Sequence, residues 1–193
     1  MTTPKTIFAR VYDVAVIGAG PAGLIAAGKA ASSGATVVLL EKNDRAGKKL
    51  LLTGKERCNL TSGEENMLKF AEAFGKKGKF LLSALAHFGT SDAIRFFNDL
   101  GIPTKVEKGA KVFPVSDKAQ DVCRSLLHYV EKHNVSSIFC STVREIIQTE
   151  SGFKLMTQEE TFLCSSVIIS TGGLSYTSLG SSGDGYTRAR NLG

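Results

Sequence analysis

The chain has 193 residues, 42% hydrophobic and 22% charged, with a formal net charge of +6 at pH 7. That balance excludes a disordered chain, and no apolar run reaches the roughly 18 residues that a membrane-spanning helix needs. Cys58, Cys123, Cys140 and Cys164 show no CxxC spacing, which argues against a zinc or dithiol site and for a reducing, cytoplasmic setting.

Residues 1–11 read as a short lead-in, and Asp13 interrupts the stretch where a secretory signal would need an apolar core. Residues 12–17 (YDVAVI) are short, β-branched and ended by Gly18, the pattern of a buried strand. An Ala-rich helix is predicted over 21–33, with Pro21 in its first turn and Gly34 as its C-terminal cap. Residues 36–40 (TVVLL) form a second buried strand that closes on Glu41. Strand, helix and strand in this order make a βαβ unit with parallel strands. A polar, basic, Gly-containing loop runs from 42 to 63.

Helical patterns cover 64–74, 79–88 and 92–100; in the last, Ser91 is the expected N-cap and Ile94, Phe97 and Leu100 share a face. Gly101 and Pro103 stop it. Val112-Phe113-Pro114 is a short extended piece, and Ser116 is placed to cap a helix reaching about His133. Strands are predicted over 141–148, 152–156 and 161–163, the first two joined as a hairpin, with a separate buried strand over 167–170 entering Thr171-Gly172-Gly173. Gly183-Asp184-Gly185 then feeds a helix over 186–192.

Gly18-Ala19-Gly20-Pro21-Ala22-Gly23 fits GxGxxG. Alone the string is weak, but here it follows a strand, opens a helix, and is followed by an acidic residue, Glu41, at the end of the next strand. Gly18 permits the tight turn, Gly20 lets a pyrophosphate approach the backbone, and Gly23 lets the helix pack on the sheet. The helix N-terminus offers N–H groups and the positive end of its dipole. Glu41 suits ribose hydroxyls and disfavours a 2′-phosphate, so a dinucleotide other than NADP is expected. Whether this is FAD or NAD, the fingerprint leaves open.

The rest of the chain supplies a resemblance. A loop, helices, a small antiparallel meander and a late Thr-Gly turn resemble the glutathione-reductase-like FAD-binding fold. Arg45-Ala46-Gly47-Lys48-Lys49-Leu50-Leu51-Leu52-Thr53-Gly54, with Arg57-Cys58-Asn59-Leu60-Thr61, resembles a signature of the BaiN-like family of NAD(P)/FAD-dependent oxidoreductases. Val112-Phe113-Pro114 and Ser170-Thr171-Gly172-Gly173-Leu174-Ser175-Tyr176, with Gly183-Asp184-Gly185-Tyr186, are similar to two further elements of that family. The Thr-Gly-Gly and Gly-Asp-Gly pair also resembles the fumarate reductase flavoproteins.

The resemblance implies an α/β fold: a Rossmann-like parallel sheet with helices and an antiparallel β-meander. Residues 1–193 would be the N-terminal portion of an FAD-binding domain, without the inserted second domain and the returning C-terminal segment of the longer family members. Gly18, Gly20, Pro21, Ala22, Gly23, Glu41 and Lys42 would hold the ADP part, and Val143 would offer backbone groups to adenine. Lys48, Lys49, Thr53 and Gly54 would lie along the pyrophosphate, ribitol or ring, with Arg57, Cys58 and Asn59 near the isoalloxazine. Thr171, Gly172 and Gly173 would approach from the returning strand. Lys55-Glu56 stand where the family usually has small, Gly-type residues.

The implied activity is hydride transfer between flavin and a small-molecule substrate, with NAD(P)H as a donor. Reduction of uridine in ribosomal RNA is an alternative, for which the +6 charge suits an anionic partner; so is a non-catalytic nucleotide-binding fragment that needs a complementing C-terminal chain. No residue stands out as catalytic acid or base, although Asp184 is a candidate base or hydrogen-bond partner. His87, His128 and His133 lack metal-ligand spacing, and Cys58 reads as a packed thiol.

Overall fold

The computed structural model describes residues 10–192, so most of the expected lead-in lies outside them. The described chain forms two compact units. One comprises the chain up to Lys49 and from Leu126 onward; the other is Leu50–Ser125.

The first unit is built on a six-stranded sheet in the order β6-β2-β1-β9-β8-β7. Strand β1 (Arg10–Ile17) lies between β2 (Val37–Leu40) and β9 (Thr161–Ile169), parallel to both, and β6 (Ser136–Ile138) is parallel to β2. Ala15, Val16 and all four residues of β2 are buried, as strands covered on both faces must be. Burial of each large side chain such as Leu39, Leu40 or Phe162 contributes about 1.5–3 kcal/mol.

Helix α1 (Pro21–Ser32) connects β1 to β2 and buries Leu24 and Ala27. It ends as expected, with Gly34 in the left-handed region at φ 96°. Asp13 fastens the start of this βαβ unit: its Oδ2 accepts the Thr36 N–H and hydroxyl, each at 2.7 Å. Helix α5 (Ala119–Lys132) leads towards β6 and buries Leu126 and Val130. Its first residue is Ala119, so Ser116 lies outside the N-cap position expected of it.

The strands expected over 161–163 and 167–170 are one continuous strand, β9. Its first half pairs antiparallel with β8 (Gly152–Met156), and almost its whole length pairs parallel with β1. The polar pair Ser165-Ser166 interrupts the apolar pattern without interrupting the backbone ladder. Strand β7 (Glu145–Thr149) completes the meander as a hairpin partner of β8. It starts later than expected, so Val143 precedes it. The chain from 184 forms α6 (Asp184–Asn191).

The second unit carries a three-stranded antiparallel sheet, β3 (Thr61–Ser62), β5 (Lys111–Pro114) and β4 (Thr104–Glu107), in the order β3-β5-β4. Val112 and Phe113 are buried in it. The helix expected over 64–74 is shorter, α2 (Met67–Glu72), because Asn66 caps it: Asn66 Oδ1 accepts the N–H groups of Leu68 and Lys69 at 3.0 and 3.1 Å. The stretch expected as a helix over 79–88 opens as a 3₁₀ turn over Gly75–Leu81 and becomes α3 (Leu82–His87). Helix α4 (Thr90–Asp99) starts before Ser91, whose expected capping role passes to Gly89, with Asp92 Oδ2 accepting the Gly89 N–H at 3.0 Å.

Candidate functional site

The C-terminal ends of β1, β2 and β9 open into a cleft of about 240 Å³ in the first unit. Its floor is the Gly18–Gly23 turn. Gly18 sits at φ 103°, and a Cβ there would come 2.7 Å from the Ser170 carbonyl oxygen. A Cβ on Gly23 would collide with the Gly18 carbonyl and the Ser170 hydroxyl. These two glycines are therefore required by the protein's own packing. Gly20 is different: its backbone is ordinary (φ −74°, ψ 176°), and a Cβ there would meet nothing within 4 Å. The space above Gly20 is open.

Gly20 is also the N-cap of α1, and no side chain caps the first N–H groups of the helix, which begins at the cleft. Glu41, buried at the end of β2, ties the turn in place. Its Oε2 accepts the Ala19 N–H at 2.7 Å, and its Oε1 accepts the Asn43 backbone and side-chain N–H groups at 2.8 and 2.7 Å. The loop after β2 folds back over the turn, with Gly47 N–H donating to the Ala19 carbonyl at 2.9 Å.

Three lysines of that loop line the cleft. Lys42 Nζ reaches Ser182 Oγ at 3.2 Å, Lys48 Nζ pairs with Asp44 at 2.9 Å, and Lys49 Nζ donates to Ser181 Oγ at 2.6 Å. On the returning strand the Ser170 hydroxyl donates to the carbonyls of Ile17 and Gly18 at 2.8 and 3.0 Å. Arg188 of α6 reaches the Val143 carbonyl and pairs with Asp184 at 3.4 Å. Thr171 Oγ1 and Arg188 Nε are buried polar atoms without a hydrogen-bond partner among the described residues. The cleft thus combines a helix N-terminus without a side-chain cap and three lysines with two carboxylates, Glu41 at the glycine turn and Asp184, which lies 3.9 Å from Lys42.

The cleft brings together Gly18, Gly20, Pro21, Ala22, Glu41, Lys42, Lys48, Lys49, Val143, Thr171 and Gly172 of the expected residues. Gly23 stands behind it, and Gly173 lies outside it with its Cβ direction towards the Tyr186 hydroxyl, 3.3 Å away. Sequence reasoning did not place Asn43, Ser141, Thr142, Ser181 or Arg188 in the cleft. For Asn43 the signal was its position two residues after the fingerprint carboxylate. For Arg188, one turn after the Gly-Asp-Gly motif, only the fold shows that its side chain turns back to Val143.

Thr53, Gly54, Arg57, Cys58 and Asn59 belong to the second unit. Arg57 is engaged there: its guanidinium pairs with Glu107 at 2.9 Å and Asp117 at 3.2 Å and lies 4.1 Å above the Phe113 ring. Lys105 joins the same network at 2.5 Å from Asp117 and 3.4 Å from Glu107. The Arg57 hydrogen bond holds the Glu107 carboxyl below its ordinary range, and that of Lys105 does the same for Asp117. Cys58 is buried, and desolvation pushes its thiol up, away from the thiolate needed for nucleophilic chemistry. The preceding loop holds Gly54, Lys55, Glu56 and Cys58 at φ 59°, 59°, 66° and 63°, all left-handed. No group of three or more His, Cys, Asp or Glu is placed to hold a metal ion among the described residues, and no helix there is long and apolar enough to cross a membrane.

The chain belongs to the HI0933-like family: the HI0933-like protein Rossmann domain matches residues 12–193. This agrees with the resemblance read from the Gly-rich, Arg-Cys-Asn and Gly-Asp-Gly motifs. The chain is 34% identical over 183 residues to a 3-dehydro-bile acid delta(4,6)-reductase of Clostridium scindens, covering 93% of this chain and 44% of that protein. It is also 34% identical over 183 residues to a ribosomal RNA dihydrouridine synthase of Escherichia coli, covering 94% and 44%. The chain therefore spans less than half the length of these curated relatives. Its fold matches an open conformation of a flavocytochrome c3 fumarate reductase with a TM-score of 0.74 at 18% identity, over 95% of this chain and 41% of that one.

Proposed function

We propose that this chain is the N-terminal portion of an FAD-binding domain, holds FAD by its ADP part in the cleft of the first unit, and serves a flavin-dependent oxidoreductase. The observation that carries the reading is Gly20. Packing does not demand a glycine there, so the open space beside an uncapped helix N-terminus is explained by a ligand that approaches the backbone. The residues present fit such a ligand. The N–H groups of Ala22 and Gly23, with Lys42, Lys48 and Lys49, would neutralise a pyrophosphate. Glu41, with three acceptor sites taken by Ala19 and Asn43, would take a ribose hydroxyl on the lone pair left on Oε2, and its charge disfavours a 2′-phosphate. Val143 would border adenine, and Thr171 and Gly172 would close the opposite wall.

Bound flavin would supply hydride transfer. The names of two relatives, a bile acid reductase and a ribosomal RNA dihydrouridine synthase, support reduction of an unsaturated acceptor; NAD(P)H as donor and a small molecule as acceptor rest on the family signature alone. Thr53, Gly54, Arg57, Cys58 and Asn59 are proposed for the ring end of the cofactor on the family signature alone. In that role Arg57 would act with its charge already compensated by Glu107 and Asp117, and Cys58 would pack rather than attack.

The test is a titration of the purified chain with FAD, followed by fluorescence and by visible absorbance after removal of free flavin. Retained flavin supports the reading. A chain that stays colourless alone and in the presence of the remaining half of a longer family member overturns it.

A further inference from the structure

Arg188 stands between two cavities of the first unit. It lines the glycine-rich cleft, and it also lines a second hollow of about 350 Å³ beside the edge strand β7. The walls of that hollow include Arg144, Glu145 and Gln148 at the edge, and Asn191 and Leu192 at the end of α6. In this structure the guanidinium is held on the cleft side. Its Nη2 donates to the Val143 carbonyl and stands 3.4 Å from Asp184 Oδ2. Val143 and Asp184 line the cleft and not the hollow. The side chain is 14% exposed.

This hold is incomplete. Arg188 Nε is buried without a hydrogen-bond partner among the described residues, and an unpaired buried donor destabilises the arrangement that contains it. Asp184 is shared: its Oδ1 accepts the Ser182 hydroxyl at 3.0 Å and lies 3.9 Å from Lys42 Nζ. In the hollow, Glu145 has no ion-pair partner among the described residues. Arg144 is the like charge there; it is exposed, so solvent screens it. The second hollow therefore offers Arg188 space and a carboxylate.

We propose that Arg188 is a side-chain gate at the Val143 end of the cleft: closed, it occupies the Val143 carbonyl, and as the cofactor's adenine enters it swings into the hollow beside β7, towards Glu145. The adenine edge carries an amino group that needs an acceptor. A guanidinium is a donor only, so it competes with that amino group for the same carbonyl oxygen. The long arginine stem makes the exchange a change of rotamer, with α6 left in place. Apparent affinity is reduced by the fraction of molecules whose gate is open, so the gate sets how fast and how tightly the cleft fills. This inference rests on the reading of the cleft as an FAD site and adds to it a control residue.

The experiment is stopped-flow flavin fluorescence of the full chain mixed with FAD, for the parent, Arg188→Met, Glu145→Gln and the double variant. Arg188→Met is expected to speed association by about tenfold, as for a gate open about a tenth of the time, with dissociation unchanged. Glu145→Gln is expected to weaken FAD binding by about threefold, in the range of an exposed ion pair. In the Arg188→Met background the same change should have no effect, because the gate that Glu145 receives is gone. Faster dissociation in Arg188→Met would make Arg188 a residue that holds the cofactor and overturns the gate. An equal effect of Glu145→Gln in both backgrounds also overturns it. Should Arg188→Met fail to fold by circular dichroism, the exposed Glu145→Gln decides alone, and unchanged FAD affinity there rejects the gate. Absence of FAD binding in the parent as well as in every variant rejects the flavin reading and the gate with it, an outcome distinct from a parent that binds FAD and variants that break the pattern.

Discussion

The Glu41 carboxylate accepts the Ala19 backbone N–H at 2.7 Å, joining the end of β2 to the middle of the glycine-rich turn across 22 residues of sequence. The carboxylate that suits a ribose is therefore also a structural tie. Its second oxygen is occupied by the backbone and side chain of Asn43. One residue positions the turn, the loop after β2 and the open face above Gly20.

Glu41→Gln should consequently affect both stability and binding. Every group facing this side chain is a donor, so the new amide NH₂ must oppose one of them. Urea unfolding should show a loss of about 1–3 kcal/mol, the cost of a buried donor without an acceptor. FAD affinity should fall with it. A stability equal to that of the parent chain would show that the tie is dispensable.

Lys55 and Glu56 stand in the left-handed region at φ 59° and 66°. Glycine adopts that conformation freely, whereas other residues bear about 1–2 kcal/mol each. Gly gives part of this back through its freer unfolded chain. Replacing both by Gly should raise the unfolding free energy by about 1 kcal/mol. The departure from the family's small residues, visible in sequence as a chemical oddity, is thus a conformational one. A destabilised double variant would mean that the two side chains make compensating interactions.

The Arg57–Glu107–Asp117–Lys105 network sets an acid limit on stability. Both carboxyls titrate below their ordinary range when folded, Glu107 through Arg57 and Asp117 through Lys105. Their contribution is complete above the unfolded carboxylate values, about 4, and is lost as pH falls through the lower folded values. Melting temperatures from pH 7 to pH 3 should fall more steeply for the parent than for Glu107→Gln/Asp117→Asn, and added salt should narrow the difference. Parallel curves would remove the network from the account.

Thiol reactivity should follow exposure. Cys140 is exposed, whereas Cys58, Cys123 and Cys164 are buried, and burial raises the thiols of Cys58 and Cys164. Alkylation at pH 7.5 followed by mass mapping should label Cys140 first and the other three only on unfolding. Early labelling of Cys58 would reopen a chemical role for it.

Several parts of this protein governed by local rules were legible in its sequence, although the caps expected at Ser91 and Ser116 were not found there. The strand of residues 12–17, Pro21, Gly34 and the four residues of β2 report buried strands and helix ends through side-chain type alone, and the fingerprint with Glu41 located the cleft. Elements defined by pairing were not legible. Strand β6 begins Ser136-Ser137 and exists because β2 offers it an edge. Strand β9 is continuous because β1 and β8 pair along it, although Ser165-Ser166 break its apolar pattern. Strands β3 and β4 are polar and short and depend on β5. In the cleft, Ser181 and Arg188 arrive by tertiary folding, which no spacing rule encodes. Within the 3₁₀ stretch Gly75–Leu81, Gly78 packs so close to the Ala71 carbonyl that a Cβ would not fit.

The most direct test of the central claim is FAD titration of Gly20→Ala beside Gly18→Ala. Because a Cβ on Gly20 meets nothing within 4 Å, the account predicts a folded Gly20→Ala chain, within about 1 kcal/mol of the parent, that has lost at least tenfold in FAD affinity. Gly18→Ala should instead lose stability, since its Cβ strikes the Ser170 carbonyl from a left-handed backbone. A Gly20→Ala chain that binds FAD as tightly as the parent would contradict the claim that the space above Gly20 is where the cofactor's pyrophosphate lies.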